Sequence, residues 1–368
     1  MSKRLPAEHG IVCRLPGERL GYFGWPTVAR LDDGTLIVAS SGLRTEHVCP
    51  WGKTVINVSR DDGKTWSPPR VINDSPLDGR DAGVLNLGGG NVLVAWFRSD
   101  NRRYVKDEGI RKWLGDDEVE SWRATLDALT DDVVKCNLGS WVMLSADGGQ
   151  TWGAPVRAPV SSPHGPARMR SGELIYLGKD SREMGQGEIL AAVSADGGRT
   201  WSVRGTVPVY PGTRPANYHE PHVLELPSGK LIGMIRVENA DGIGLDKDAG
   251  VVNFSIMQTE SSDGGRTWSV PTPFNFHGSP PHLLRHSSGT LIMSYGYRQQ
   301  PYGQRAAISR DDGATWDHDW IIREDGPDGD LGYPSTVELA DASLLTVCYQ
   351  KVPGDGKCSL LWTRWRVE

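Results

Sequence analysis

The chain has 368 residues, of which 38% are hydrophobic and 23% charged, a composition typical of globular proteins. Its formal net charge is -6 and it has no basic run, which argues against a nucleic-acid partner. Neither a secretory signal nor an apolar run of about 18 residues is visible, so we expect no membrane partner and a cytoplasmic location.

The residue counts favour a β protein with many turns, because 45 Gly, 24 Pro and 14 Trp stand against only 5 Phe. The five cysteines are scattered and contain no Cys-x-x-Cys pair. A disulfide framework or a zinc knuckle is therefore not expected, and a reducing compartment fits best.

Six stretches share one pattern, which is a short apolar run, a tight turn and a second apolar run. In chain order they read TVARLDDGTLIVAS from Thr27, GVLNLGGGNVLVAW from Gly83, GPARMRSGELIYLG from Gly165, HVLELPSGKLIGMI from His222, HLLRHSSGTLIMSY from His282 and STVELADASLLTVC from Ser335. Each stretch predicts a β-hairpin of two short strands.

Five octapeptides follow these hairpins and share the pattern Ser-x-Asp-x-Gly-x-Thr-Trp. They occupy residues 59–66, 145–152, 194–201, 261–268 and 309–316. An Asp-x-Gly turn lets the carboxylate accept local backbone N–H groups while glycine takes a positive φ, so each octapeptide predicts a second hairpin. Two hairpins make a four-stranded unit, and six units predict an all-β fold, a six-bladed β-propeller.

We expect one propeller domain over residues 1–368, with strands from about residue 9 onward. The sixth unit has no octapeptide, so the segment His9–Leu15 is predicted to supply its missing strand and close the ring. The largest insertion, about 98–135 in blade 2, contains DDEVESWRATLDALTDD. Apolar residues at helical spacing predict one short amphipathic helix there, as a lid or dimer contact, and they are Val119, Trp122, Leu126 and Leu129.

Propeller geometry places the ends of the first hairpins around the axis on one face, and the octapeptides on the opposite face. Counting nine residues back from each turn gives an inward ring of Trp25, Asp81, Pro163, Glu220, Pro280 and Tyr333. The second strands are followed by Arg44, Arg98, Lys179, Arg236, Arg298 and Gln350, while Lys53 and Arg305 begin third strands. Histidines on the same face are His47, His164, His219, His222 and His282. Such a funnel is costly to assemble without a polar ligand, although each group alone could be a rim residue bonded to a neighbouring blade.

The octapeptides resemble the Asp boxes of the sialidase (neuraminidase) superfamily, and the resemblance covers nearly the whole chain. The boxes identify a fold and carry no catalysis. Two further segments resemble sialidase catalytic motifs. HEPHVLELPSGKLIGMIR places Glu220 and Arg236 at the positions of a conserved Glu and of a carboxylate-binding Arg, and GYPSTVELADASLLTVCYQ places Tyr333 at the nucleophile position.

Two departures from the family pattern bear on the substrate. Gly24 stands where sialidases have the first Arg of a three-Arg clamp, although Arg298 or Arg305 could serve as another member. The loop Arg44–Lys53 has no Asp at the place of the acid, so Glu46, His47 or Asp81 must act instead. Because the lost guanidinium would bind a carboxylate through two hydrogen bonds, we expect a substrate other than ordinary sialic acid.

The resemblance implies an exo-glycoside hydrolase that acts on a terminal sugar of a glycan or small saccharide, without a cofactor or metal. The expected catalytic residues are Tyr333 as nucleophile, Glu220 as its base and Asp81 as acid. The expected substrate-binding residues are Arg236, Arg298, Arg305, Arg44, His47, Lys53, His164, His219, His282 and Trp25.

Three alternatives stay open. The axial histidines could hold a divalent metal in a polysaccharide lyase. Asp81 and Glu220 could act as the carboxylate pair of an arabinanase-like hydrolase, with Tyr333 only stacking on the sugar. The propeller could also bind carbohydrate without catalysis.

Overall fold

The computed structural model describes residues 3–181, 187–240, 242 and 244–367. The strands form six small antiparallel sheets, each with its first strand nearest the axis, as blades of a six-bladed β-propeller. Blade 1 contains β3 (Tyr22–Arg30), β4 (Leu36–Arg44), β5 (Lys53–Ser59) and β6 (Arg70–Asn73). Blade 2 contains β7 (Asp78–Gly88), β8 (Asn91–Ser99), β9 (Gly139–Ser145) and β10 (Val156–Ala158).

The inner strand of blade 3 is interrupted. Its two pieces, β11 (Val160–Ser161) and β12 (Ala167–Arg168), both pair with β13 (Leu174–Asp180), and β14 (Ile189–Ser194) and β15 (Ser202–Thr206) follow. Blade 4 contains β16 (Tyr218–Glu225), β17 (Leu231–Val237), β18 (Ser255–Ser261) and β19 (Thr272–Pro273).

Both remaining blades take strands from the N-terminal segment. Blade 5 contains β20 (Pro281–Arg285), β21 (Leu291–Tyr297), β22 (Gly303–Ser309) and β23 (Asp317–Arg323), and β1 (Lys3–Arg4) adds to β23 in parallel. Blade 6 contains β24 (Gly332–Glu338), β25 (Leu344–Lys351), β26 (Cys358–Trp365) and, as its outer strand, β2 (Ala7–Cys13). The predicted closure of the ring by the N-terminal segment is confirmed, whereas β1 had no counterpart in the sequence analysis.

The predicted helical insertion lies between β8 and β9, but it is not one helix. It consists of a 3-10 helix (Asn101–Lys106) and four short helices, α1 (Glu108–Leu114), α2 (Asp116–Ser121), α3 (Arg123–Asp127) and α4 (Asp131–Asn137). The predicted helix over residues 116–132 fails because Trp122 separates α2 from α3 and α3 already ends at Asp127. Of the predicted apolar residues, Val119, Trp122 and Leu126 are nonetheless buried and Leu129 is partly buried. They belong to one cluster with Val48 and Trp51 of blade 1.

Two further short helices interrupt blade 4's connections, a 3-10 helix (Pro215–Asn217) and α5 (Leu245–Asp248). Across the described ranges, every helix is too short or too polar to cross a membrane.

Each octapeptide joins the third and fourth strands of its blade, as predicted. In the second one, Ser145 Oγ donates to Asp147 Oδ1 at 2.7 Å and accepts from Gly149 N–H at 2.9 Å. The Asp147 carboxylate also accepts from Thr151 N–H at 2.8 Å. These bonds fix the turn locally, so the motif folds without help from distant residues.

The glycine at the fifth position of each octapeptide also packs closely against the preceding blade. Gly198 has a φ of 95°, and a β-carbon there would lie 2.6 Å from Leu93 of blade 2. Gly313 repeats this arrangement against Ile232 of blade 4. Glycine is therefore needed both for its backbone conformation and for the space between blades.

We predict that Gly198→Ala destabilises the protein by roughly 1–3 kcal/mol, because it adds a clash to the backbone strain. Gly172→Ala is the matched control, since Gly172 has a φ of 90° and no heavy atom within 4 Å of a β-carbon. Urea unfolding measures the free energy of unfolding of both variants. An equal loss of this free energy in the two variants would contradict the predicted clash with the neighbouring blade.

Candidate functional site

The inward ring is built from strained positions. Trp25, Asp81, Glu220 and Tyr333 have φ values of 53°, 50°, 49° and 52°, in a region that non-glycine residues rarely adopt. At each of them the pairing of the inner strand with the second strand shifts register. These are β-bulges, which re-aim a side chain from the sheet. The same device therefore presents one side chain from blades 1, 2, 4 and 6 to the funnel.

The tightest cluster in the funnel joins Tyr333, Glu220 and Arg236. The Tyr333 hydroxyl donates a short hydrogen bond to Glu220 Oε1. One guanidinium nitrogen of Arg236 lies 2.5 Å from Glu220 Oε2 and 3.3 Å from the Tyr333 hydroxyl oxygen. The other terminal nitrogen of Arg236 donates to Glu238 at 2.5 Å, and Phe254 packs 5.0 Å from the guanidinium. A carboxylate is thus positioned as base for a phenol, with a cation beside both.

Electrostatics keep Glu220 ionised and the Tyr333 phenol protonated at rest. Burial acts to raise the pKa of Glu220, but the charge of Arg236 and the hydrogen bond from Tyr333 outweigh it, so this pKa lies below its usual value. Burial and the neighbouring Glu220 raise the pKa of Tyr333 well above the usual value of 10. If the Tyr333 oxygen attacked a substrate, its proton would have to leave in the same step, and Glu220 is the acceptor within hydrogen-bond distance.

The pKa of Asp81 is shifted in the opposite direction to that of Glu220. Asp81 is 6% exposed, and within the described part of the chain its Oδ1 has no hydrogen-bond partner. Burial raises the pKa of Asp81 to about 7, with Glu220 adding to the shift and Arg80 opposing it. Two neighbouring carboxyl groups whose pKa values are moved in opposite directions suit an acid and a base.

A cavity of about 250 Å³ opens beside these two carboxyl groups, between blades 2, 3 and 4. Its wall contains Asp81, Glu220 and His219, with cationic side chains from the insertion and from blades 2 and 3. The volume is at the small end of the range for ligand pockets and suits a single sugar ring.

Trp25, predicted to bind substrate, is only 1% exposed and lies beneath the funnel surface. Its ring is covered by the guanidinium groups of Arg80 and Arg44, at 4.2 and 5.0 Å. It also contacts the rings of His47 and Tyr333 edge-on, at 4.9 and 6.4 Å between centroids. Trp25 therefore connects the Tyr333 cluster with the loop that carries His47.

His47 belongs to a partly buried polar cluster that the sequence did not indicate. Its Nδ1 lies 2.9 Å from Asp330 Oδ1, and the Tyr22 hydroxyl donates to the same carboxylate at 3.0 Å. Burial lowers the pKa of His47, although Asp330 opposes the shift. Asp330 lies in the connection between blades 5 and 6, outside every repeat, and only its place three residues before Tyr333 could have drawn attention to it.

Three of the predicted substrate-binding cations lie away from the funnel surface. Arg44 has no exposed surface and donates to Asp78 Oδ1 at 2.5 Å. Arg305 is 2% exposed and contacts Asp319 at 3.3 Å. Lys53 pairs with Asp74 at the rim. Arg44 therefore supports Trp25 from behind, and the other two hold blade edges.

Arg298 and His219 lie closer to the cluster. Arg298 donates to the Ser279 carbonyl oxygen at 2.8 Å, and its guanidinium lies 5.8 Å from the centre of the Tyr333 ring. His219 Nε2 lies 3.4 Å from Glu238 Oε1, and burial lowers the pKa of His219 to about 4. At Gly24, a β-carbon would meet the Tyr22 ring at 3.3 Å, so aromatic rings surround the position of the missing Arg.

His164, His222 and His282 meet on the propeller axis behind the ring. The rings of His222 and His282 stack at 4.5 Å, and that of His164 lies 4.9 Å from His282. His222 Nδ1 accepts from Leu283 N–H at 2.8 Å, and His282 Nδ1 accepts from Thr336 N–H at 3.3 Å, in each case from the next blade. His222 and His282 therefore join blades 4, 5 and 6.

Over residues 3–181, 187–240, 242 and 244–367, no group of three or more His, Cys, Asp or Glu side chains is arranged to hold a metal ion. The stacked rings of His222 and His282 use Nδ1 for backbone N–H groups, which leaves only Nε2 of each for other contacts. The fold and the boxes thus define the chain as a six-bladed Asp-box propeller.

Comparison with known proteins identifies the family of the chain. The family described as the BNR repeat-like domain matches residues 130–346, more than half of the chain, and the chain belongs to that family. The structure of a protein of unknown function from Dyadobacter fermentans is similar to that of this chain, with 25% sequence identity and a TM-score of 0.74 over 98% of both chains. None of the curated proteins compared with the chain matches it.

Two enzymes of known activity share the fold at lower identity. The NanB sialidase from Streptococcus pneumoniae is 13% identical, with a TM-score of 0.66 over 97% of this chain and 70% of that one. The α-L-arabinofuranosidase Arb93A from Fusarium graminearum is 17% identical, with a TM-score of 0.61 over 98% of both chains. Likeness at this level shows the architecture alone.

We predict that the axial histidines make the protein sensitive to mild acid. In the unfolded chain His222 binds a proton below its ordinary pKa of 6.5, whereas burial lowers the pKa in the folded protein to about 4. The unfolded state therefore binds more protons between these values, and stability falls as the pH falls from 6.5 towards 4, by about 3 kcal/mol for this residue.

Urea unfolding at intervals of pH measures this effect. His222→Gln should make the fall in unfolding free energy between pH 6.5 and 4 less steep, because one titrating group is removed. His318→Gln, at an exposed position on β23, is the control and should leave the slope unchanged. Equal slopes in wild type and His222→Gln would show that the imidazole is already charged in the folded protein.

Proposed function

We propose that the protein is an exo-glycoside hydrolase in which Tyr333 attacks the anomeric carbon of a terminal sugar. The observation that carries this proposal is the hydrogen bond from the Tyr333 hydroxyl to Glu220, with Arg236 beside both groups. The family and the likeness to glycoside hydrolases support the class of reaction.

In the first step the Tyr333 oxygen bonds to the anomeric carbon and the glycosidic bond to the leaving oxygen breaks. Glu220 takes the phenol proton, and Asp81 gives its proton to the leaving oxygen. In the second step a water attacks the same carbon and loses a proton to Asp81, while the Tyr333 oxygen leaves and regains its proton from Glu220. Two displacements retain the anomeric configuration.

We propose that the substrate is not ordinary sialic acid. Gly24 supplies no cation at the first blade, and the neighbouring Arg44 is fully buried against Asp78. Arg236 already contacts two carboxylates, Glu220 and Glu238. Of the clamp expected in a sialidase, Arg298 is the member that remains beside Tyr333.

A second candidate is the carboxylate pair. The cavity is lined by Asp81 and Glu220 and not by Tyr333, which is 5% exposed. If Asp81 acted as acid and Glu220 as nucleophile or base, Tyr333 would serve to orient Glu220.

Substitution of the tyrosine separates the two candidates. Tyr333→Phe removes the nucleophile, so we expect kcat to fall by about 10³-fold or more on any glycoside that the wild type cleaves. Tyr349→Phe is the matched control, since Tyr349 is a buried tyrosine whose ring lies 5.8 Å from that of Tyr333. A Tyr333→Phe enzyme of near-normal kcat, with Glu220→Gln inactive, would leave the carboxylate pair as the mechanism.

The pH profile tests the role of Asp81. Because the acid must be protonated and its pKa is raised to about 7, kcat/KM should decline above that pH. Asp81→Asn should lower kcat/KM on alkyl glycosides yet leave much of kcat/KM on dinitrophenyl glycosides, because kcat/KM reports the first step and this leaving group needs no proton. Equal losses on both substrates would remove Asp81 from the role of acid.

A further inference from the structure

The insertion of blade 2 presents a tryptophan ring to the solvent. Trp113 lies on α1 and is 56% exposed. Its neighbours Ile110 and Leu114 belong to the apolar cluster that includes Val48 of blade 1, whereas Trp113 is not a member of that cluster. The helix is therefore held by other side chains. Because a large aromatic ring in water forgoes the stabilisation that burial gives, its exposure beside a candidate site is suited to contact with a ligand.

The imidazole of His47 lies next to this ring. The two ring centroids are 5.7 Å apart, with the planes tilted by 55°. The His47 side chain is 29% exposed, so a ligand on Trp113 can also reach it. Nδ1 of His47 is bonded to Asp330, whereas Nε2 has no hydrogen-bond partner among the residues that the structure describes.

The contact with Asp330 decides what Nε2 of His47 can do. Burial acts to raise the pKa of Asp330, but the hydrogen bonds from His47 and Tyr22 outweigh it and hold this pKa at about 2. The carboxylate is therefore an acceptor, and Nδ1 of His47 carries the proton. Burial also lowers the pKa of His47, so the imidazole is neutral at pH 7 and Nε2 has a lone pair for another donor.

Arg80 connects this pair of rings with the carboxyl group of Asp81. Its guanidinium lies 4.2 Å from the Trp25 ring and donates to the His47 carbonyl oxygen at 3.3 Å. Its charge is also close enough to Asp81 to oppose the rise in pKa that burial causes there. Asp81 lines the cavity of about 250 Å³, whereas Arg80, His47 and Trp113 do not. A ligand that fills the cavity and extends past Asp81 towards blade 1 therefore reaches His47 and Trp113 next.

We propose that Trp113 and His47 form an aglycone site, in which the leaving-group sugar stacks on the Trp113 ring and one of its hydroxyl groups donates to His47 Nε2. The proposal rests on the proposed function for its place next to the cleaved bond, but the binding itself needs no catalysis. A pyranose has a face of C–H groups that packs on a flat aromatic ring, and hydroxyl groups around its edge that need polar partners. The substrate class is then an oligosaccharide whose leaving group is itself a sugar.

NMR titration of the isotope-labelled wild type tests the site without turnover. The probes are free glucose, galactose and N-acetylglucosamine, none of which has a glycosidic bond to cleave, and glycerol is the control without a ring. The indole N–H signal of Trp113 is assigned by its absence in Trp113→Phe, and that of Trp201 in the same way. We expect at least one sugar to shift the Trp113 signal saturably while the Trp201 signal stays in place. A Trp113 signal that none of the three sugars moves would overturn the proposal.

Variants assign the binding to the two rings, with affinity measured by saturation transfer from the protein to the sugar. Trp113→Ala should weaken binding of the sugar about tenfold. His47→Phe keeps a ring beside Trp113 and removes the acceptor, while Asp330 keeps its hydrogen bond from Tyr22, so this variant should also weaken binding severalfold. Lys112→Ala, at an exposed position on the same helix, should bind the sugar as the wild type does. Wild-type affinity in Trp113→Ala would refute the site.

Kinetics place the site beside the cleaved bond. Trp113→Ala should lower kcat/KM on a disaccharide about tenfold more than on the methyl glycoside of the same terminal sugar, because only the disaccharide has a second ring to lose contact. An equal effect on both substrates would contradict an aglycone site. Sedimentation of the wild type and of Trp113→Ala tests the other occupant, a second copy of this chain. An oligomer that the variant turns into a monomer would make Trp113 a subunit contact and overturn the proposal.

The same experiments keep the two proposals apart. Sugar binding that depends on Trp113, with no glycoside cleaved by the wild type, would keep the sugar site and overturn the hydrolase. Cleavage of disaccharides and methyl glycosides that is indifferent to Trp113→Ala would keep the hydrolase and overturn the aglycone site.

Discussion

The pairing of β2 with β26 is the interaction on which the rest of the structure depends. It runs from Ala7 opposite Trp365 to Cys13 opposite Leu360, and it joins the two ends of the chain within blade 6. Without it, the ring would be open, and blades 1 and 6 would not be held side by side. Tyr333 of blade 6 contacts Trp25 of blade 1 and Glu220 of blade 4. The candidate site therefore exists only in the closed ring, although none of its residues lies in the closing strands.

Much of this architecture could be predicted from the sequence because a propeller repeats itself. The hairpins and octapeptides recur with similar internal lengths, so aligning them also aligns the inward positions. That alignment identified Trp25, Asp81, Glu220 and Tyr333 as equivalent, and the structure shows that they share a bulge and a positive φ. A periodic pattern thus predicts which side chains face the axis, even though it contains no information on distance.

Features outside the repeats could not be predicted in the same way. Asp330 lies between blades, and its contact with His47 spans 283 residues of sequence. Arg44 and Arg236 occupy equivalent positions after second strands, yet Arg44 is turned inward by Asp78 while Arg236 reaches the funnel. The insertion was predicted to contain one helix because its apolar spacing is helical, but Trp122 divides that segment into α2 and α3. In each case a particular neighbour decides the outcome, and the sequence does not show the neighbour.

The strained ring positions explain how one scaffold can hold two carboxyl groups with opposite pKa shifts side by side. A residue at φ near 50° costs about 1–3 kcal/mol and persists only where its surroundings enforce it. The inner strands hold these residues in the strained conformation, because each bulge lies within a ladder of paired strands and between two neighbouring blades. Once the side chains are fixed, their partners set their chemistry, since Arg236 lies against Glu220 while Asp81 has one oxygen without any described partner. The difference in pKa between Asp81 and Glu220 therefore arises from the neighbours of each carboxyl group. The rigid ring maintains this difference because it holds each carboxyl group beside the same neighbours.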